Sequence, residues 1–497
     1  MLFNSFEFLV FFIIVTTLYY ALPHKYRWFL LLAASCFFYM AFIPIYIVIL
    51  GATIVVDYYA GLYIEKLRLK HAERYSKALL ICSLVANIGV LAVFKYYNFF
   101  IGNISELANF AGLHANFYYI SIALPIGLSL HTFQAMSYTI EVYRGNQKAE
   151  RNFGIYALYV MFYPQLVAGP IERPQNVLHQ YYEKKKFDYN NVTNGLKLMV
   201  WGLFKKVVIA DRLASFTDPI FNHPHNYSAI TLFIAAIFFS YQVFCDFSGY
   251  SDIALGSAQV MGFKLMKNFD KPYHSKSLAE FWKRWHISLS SWFKDYLYIP
   301  LGGSRVASIS RGYFNIMFVF LLSGFWHGAS WTFVFWGGLH GFYLVFAKIK
   351  DKWLFKILPQ LKESKPGIFR NTINIITTFS LVTIASIFFR SVKIQDAWFI
   401  LKSFKNLGAE FIASIKHKSI IFYNNTSVAN IDKVLIFSSF SFIILLEIIH
   451  IIQGNGSIRE KLSTKPLFVR WTMYYSIVIV IIFFGVFNKR EFIYFQF

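Results

Sequence analysis

Acidic residues are scarce. Asp and Glu number 25 against 48 Lys and Arg, and charged side chains make up only 15% of the 497 residues. Soluble domains carry nearer a quarter charged residues, so this shortage, with 57% hydrophobic content and a mean hydropathy of +0.47, excludes an ordinary soluble globule. Cysteine is also rare: Cys36, Cys82 and Cys245 lie far apart in apolar sequence. No disulfide framework and no metal-ligand spacing follows from them, so they read as small buried hydrophobes and no metal is expected. The net charge of +23 comes with no nucleic-acid reading module, which argues against nucleic acid as a partner. Lys and Arg belong instead in cytoplasmic loops and against anionic headgroups, while 57 Phe and 33 Tyr suit lipid-facing helices and interfacial belts. The chain is expected to be an all-α polytopic membrane protein forming a single domain over 1–497, with no separate soluble domain and no long linker.

Apolar runs mark about eleven spans by the hydropathy rule. Phe6–Leu22 follows a start with no basic n-region and is expected to be retained rather than cleaved. Arg27–Ile64 is too long for one helix, and Pro44 and Gly51 suggest its break. Ala78–Tyr97 and Tyr119–Ile140 follow, the second with Pro125, Gly127 and His131, which predict a kink. His24–Arg27 and Glu65–Lys77 are basic connectors two spans apart, so both can face the cytoplasm and the N-terminus the outside. Val192–Asp211 is amphipathic, and Ser228–Met261 is interrupted at Asp246-Phe-Ser-Gly-Tyr-Ser-Asp252, where a loop would expose two costly aspartates. Gly312–Ala347 is long enough for two helices; Asn371–Phe389, Val434–Ile452 and Trp471–Phe487 complete the set, with Asp396–Phe411 an amphipathic interfacial helix. No internal or inverted repeat is visible, which weakens a transporter reading.

No Lys, Arg, Asp or Glu occurs from Gly312 to Phe346, yet this run holds His327 and His340. An imidazole at membrane depth is costly and usually marks a site. Each histidine sits in a small-xxx-small pair, Gly324/Gly328 and Gly337/Gly341, that lets helices approach closely. Thirteen positions on one continuous helix mean about 20 Å of rise and roughly 220° of rotation, so the two would point apart unless a turn near Ser330 reverses the chain. His131 reads as a packing residue. His286 lies among Phe281, Trp282, Trp285, Trp292 and Phe293, which alternate with Lys283, Arg284, Lys294 and Asp295: either an interfacial belt or the wall of a basic funnel for a phosphorylated donor.

The stretches Phe281-Trp-Lys-Arg-Trp-His-Ile-Ser-Leu-Ser-Ser-Trp-Phe-Lys-Asp-Tyr296, continuing to Gly303, and Gly324-Phe-Trp-His-Gly-Ala-Ser-Trp331 resemble the membrane-bound O-acyltransferase family. Val167–Pro174, Asp246–Ala254 and Asn268–Tyr273 are similar to its bacterial polysaccharide branch, whose members include alginate O-acetylating membrane subunits. The likeness spans nearly the whole chain and is densest over 168–341. A related branch moves D-alanine onto teichoic acids. The resemblance implies helices around a tunnel crossing the membrane, a donor from the cytoplasm and an acceptor on the far side. It matches His327 to the family's essential histidine and His286 to its second active-site position; His340 matches a recurring family position and is read here as structural.

Acyl transfer from a thioester to a hydroxyl needs a base near neutral pH and a group to stabilise the oxyanion. His327 is assigned as base and His286 as its orienting or oxyanion-side partner, with exchange of the two roles left open. No G-x-S-x-G sequence accompanies them. The implied donor is acetyl-CoA, whose phosphates Lys205, Lys206, Lys264, Lys267, Lys271 and Arg284 could meet; the positive-inside bias explains any one of them equally well. The expected function is a multipass O-acetyltransferase of the bacterial cytoplasmic membrane, acting on an exported polysaccharide such as alginate, directly or through a secreted relay partner. Peptidoglycan acetylation, D-alanyl transfer to teichoic acid, or a glycolipid flippase whose histidines line a proton path are the alternatives.

Overall fold

Leu-, Ile-, Val- and Phe-rich runs must satisfy their backbone groups internally once out of water, and a helix does so within one segment. A computed structural model describes residues 1–113, 117–120, 127–167, 169–357, 367–416, 433–454, 456–487 and 492–495; no β-strand occurs among them. Seven helices among the described residues are long and apolar enough to cross a membrane, including Tyr46–Leu69, Ala229–Val260, Ile368–Arg390 and Leu467–Phe484. Phe6–Ala21, at 16 residues, is shorter. Pro125 and Ala168 lie outside the described residues.

The chain divides into two compact units, 1–199 with 250–267, and 200–249 with 268–497. The first contains α1 (Phe6–Ala21), α2 (His24–Met40), α3 (Tyr46–Leu69), α4 (Glu73–Leu91) and α5 (Leu128–Arg144). The break between α2 and α3 falls at Pro44, whereas Gly51 lies inside α3, where helical neighbours impose regular geometry on it. A carboxylate is buried here at no unpaired cost: Asp57 accepts from Ser83 Oγ at 2.6 Å and Asn87 Nδ2 at 2.9 Å. Glu172, in the proline-bounded loop, is also fully buried, and it takes Asn176 Nδ2 at 3.3 Å and the Met266 N–H.

One expectation is overturned. The helix α6 (Ala229–Val260) runs without interruption through Asp246–Asp252, so no loop forms there. Its Asp246 is stabilised at helix depth by partners distant in sequence, as described below.

In the second unit α7 (Ile309–His327) and α8 (Trp331–Ile357) form a hairpin, reversing at Gly328–Ser330. The glycines make the hairpin close. A Cβ on Gly324 would fall 2.3 Å from Phe333 O, and one on Gly337 would fall 2.3 Å from Phe320 O. Backbone atoms cannot yield as a side chain can, so the Gly-for-closeness reading holds at both positions. Over 396–411, where one amphipathic helix is expected, two α-helices form, Ile394–Ser403 and Leu407–Lys416, with a 3₁₀ turn at Phe404–Asn406 between them. Gly337→Val should force α7 and α8 apart and cost about 1–3 kcal/mol as overpacking does. Gly338→Ala, whose Cβ would meet only the Leu321 side chain at 3.4 Å, should leave the thermal midpoint in detergent unchanged.

Candidate active site

His286 is held by its own backbone and by Asn268. It caps the short helix Ile287–Phe293 with φ +41°, a left-handed conformation that non-glycine residues adopt at a cost, a strain that clusters at functional sites. Its ring is 1% exposed, and Nδ1 lies 3.0 Å from Asn268 Oδ1. The same oxygen takes the Ser288 N–H at 3.3 Å and the Ser288 hydroxyl at 3.0 Å. A backbone N–H can only donate, so this atom is the carbonyl oxygen and His286 Nδ1 carries the proton. Nε2 is then the lone-pair nitrogen, and it is buried with no hydrogen-bond partner among the described residues. Burial pushes the imidazole down from 6.5 to about 3, so it stays neutral at working pH.

His327 is the last residue of α7 and is 4% exposed. Trp326, Trp336 and Phe389 surround its ring at 4.9, 5.0 and 5.5 Å between centroids. The chain does reverse near Ser330, so the one-helix geometry that would point His340 away from His327 does not apply. The reversal brings Trp336 edge-on to both imidazoles, 5.0 Å from His327 and 4.9 Å from His340. His340 is no bystander in packing: with Tyr273, Trp282, Trp285, Trp336 and Tyr494 it lines a cavity of about 30 Å3. One water needs roughly 10–15 Å3 on this measure, so the space suits a group of a few heavy atoms.

The C-terminal tail is the part that motif reading missed. Ile493 N–H donates to Asp246 Oδ2 at 2.8 Å, and Lys206 Nζ bridges Asp246 and Asp211 at 2.8 and 2.9 Å. All three charged side chains are buried. This anchor seats Tyr494 with its ring 5.6 Å from His327 and 4.8 Å from Phe247, and Phe247 stands 4.6 Å from His286. The two motif histidines are thus joined through Phe247 and Tyr494. The only sequence signals for the tail were its aromatic content and an aspartate in an apolar helix looking for compensation.

The basic candidates separate by environment. Lys206 is spent on two carboxylates, and Lys205 is buried with Nζ 2.9 Å from Ser248 Oγ. Lys264 and Lys267 are exposed, Arg284 is partly exposed and pairs with Glu280 at 2.6 Å, and Lys271 meets the Gly454 carbonyl.

A family model described as membrane-bound O-acyltransferase matches residues 128–390, a span that contains His286, His327 and His340. The chain belongs to the membrane-bound O-acyltransferase family. It is an acyltransferase, and its relatives in that family act on several polymers. It is 35% identical over 423 residues to a probable alginate O-acetylase of Pseudomonas aeruginosa, covering 84% of this chain and 78% of that one. A peptidoglycan O-acetyltransferase of Helicobacter pylori is 33% identical over 461 residues, 86% of this chain and 83% of that one. A teichoic acid D-alanyltransferase of Streptococcus thermophilus is 31% identical over 304 residues, 56% and 70% of the respective chains.

Two outcomes follow from the site. Ile493→Pro removes the donor to Asp246, a charged hydrogen bond of about 1.5–3 kcal/mol, and should lower acyl transfer tenfold or more through a misplaced Tyr494 while the protein still purifies folded. A neutral buried His286 binds fewer protons than the unfolded chain below pH 6.5, so stability is present above that value and falls as pH drops toward about 3. Thermal midpoints measured across that range should fall less steeply in His286→Asn.

Proposed function

We propose that this acyltransferase is an O-acetyltransferase of the bacterial cytoplasmic membrane that takes acetyl groups from cytoplasmic acetyl-CoA for O-acetylation of an exported polysaccharide, directly or through a secreted relay protein. The observation that carries the reading is the fixed tautomer of His286, a neutral imidazole with a buried lone pair in the same unit as His327. It favours exchanging the two roles first assigned. His286 Nε2 accepts the proton as the acceptor oxygen bonds to the thioester carbonyl carbon, the negative charge developing on the carbonyl oxygen offsetting the basicity that burial lowers at rest, and His327 orients the thioester or steadies that oxyanion. The C–S bond then breaks, and the CoA thiolate recovers the proton from His286. The small cavity beside His340 agrees with a short acyl group rather than a fatty chain.

Binding of the CoA phosphates draws on the exposed Lys264 and Lys267 of the first unit, or on Arg284 of the second, which already pairs with Glu280. Lys205 and Lys206 contribute to it less, because their charges are engaged inside the protein. Alginate and peptidoglycan are both supported as acceptors by the named relatives, and D-alanyl transfer to teichoic acid is the second reading, supported over a shorter stretch.

His327→Ala and His286→Ala should each remain folded and in the membrane yet lose about 10²–10⁴-fold in transfer, the range of general acid–base contributions. Vesicles holding the purified protein and given acetyl-labelled CoA on one side report this directly. Unchanged transfer in either variant overturns the assignment, and mass analysis of secreted and wall glycans from a deletion strain identifies the acceptor.

A further inference from the structure

A second cluster of metal-ligating side chains lies apart from the two motif histidines. Glu447 and His450 are three residues apart on the helix Lys433–Gln453, a spacing that turns both to one side. His274 ends the 3₁₀ turn Pro272–His274, in the connector between Asn268 and His286. His274 Nε2 lies 2.6 Å from Glu447 Oε2, and His450 Nδ1 lies 3.7 Å from Glu447 Oε1. One ligand atom from each of the three falls within 4.8 Å of the other two. Donors around a tetrahedral zinc ion stand about 3.3 Å apart, given bonds of about 2.0–2.1 Å, so small side-chain rotations close the triangle.

We propose that His274, Glu447 and His450 form a binding site for a divalent transition-metal ion of the zinc class, with water completing the coordination. Two imidazoles and one carboxylate are a donor set for zinc and its neighbours; magnesium and calcium favour oxygen donors. The site is open on one side, since the His274 and Glu447 side chains are 29% and 23% exposed, while His450 is buried. The outer partners are in place. Tyr241 hydrogen-bonds to Glu447, and Phe244 stands edge-on to the His450 ring at 5.9 Å between centroids. On binding, the ion replaces the proton that His274 Nε2 shares with Glu447, and that proton passes to solvent. The ion ties the helix Lys433–Gln453 to the connector that carries Asn268, the residue that fixes the His286 tautomer. A sequence reading finds no such site, because His274 and Glu447 are 173 positions apart.

The test uses the full chain in detergent, purified without a polyhistidine tag, stripped with a chelator and dialysed against zinc chloride. Elemental analysis should return close to one zinc per chain, with a raised thermal midpoint. His450→Gln and His274→Gln should each lose more affinity than the roughly 10–100-fold that loss of an outer partner costs. His286→Ala and His327→Ala should retain the zinc. Binding well below one equivalent, or equal binding in His450→Gln, overturns the proposal, the latter because the ion then sits elsewhere. Should the glutamine variants fail to fold, cobalt loading of the unaltered chain decides: tetrahedral d–d absorption upholds the site, and an octahedral spectrum or none overturns it.

Discussion

The second unit depends on how it compensates one buried carboxylate. Asp246 lies within a helix long enough to cross the membrane, where an unpaired charge costs several kcal/mol. Lys206 and the Ile493 N–H provide that compensation, and Asp211 shares the ammonium. The consequence reaches beyond electrostatics. The π-helical turn Phe204–Ala210, α6 and the C-terminal tail are fixed to one another by two contacts at Asp246, from Lys206 and from the Ile493 N–H, and the tail then sets Tyr494 beside His327. Breaking one partner would leave a charge buried without an answer, which is why this anchor is stiff.

The local features of the fold were legible in the sequence, and the long-range ones were not. Glycine spacing announced a close hairpin, and the apolar run 312–346 was long enough for the two helices found. What spacing left open was whether the chain reverses near Ser330. Gly328 is extended at φ −159°, and the Ser330 hydroxyl meets Thr332 Oγ1 at 3.1 Å just as α8 begins. Such a turn depends on these few residues, and it changes His340 from a residue on the far side of a helix into one that shares Trp336 with His327. The Asp246–Asp252 stretch failed in the opposite sense. Its polar composition suggested a loop because the compensating lysine, 40 positions earlier, and the tail amide, 247 positions later, cannot be read locally.

Lysines teach the same lesson about charge. Lys205 and Lys206 sit in an amphipathic pattern and look like surface cations, yet the π-helical turn carries both into the interior. A π-turn adds a residue to each helical repeat and so rotates the following side chains off the face that a 3.6-residue period assigns them. Lys264 and Lys267 lie outside any helix, and their exposure follows what composition predicts.

The two motif histidines are chemically unequal, and that inequality is what gives the site direction. Asn268 takes the Nδ1 proton of His286 together with two donors from Ser288, so the oxygen is saturated and the imidazole cannot flip without leaving a buried N–H unanswered. His327 is enclosed by the rings of Trp326, Trp336, Phe389 and Tyr494. A transfer reaction needs one group whose proton affinity is set in advance and one that answers to the charge on the reacting atoms. Hydrogen bonding at the first histidine and aromatic enclosure at the second meet those two demands separately.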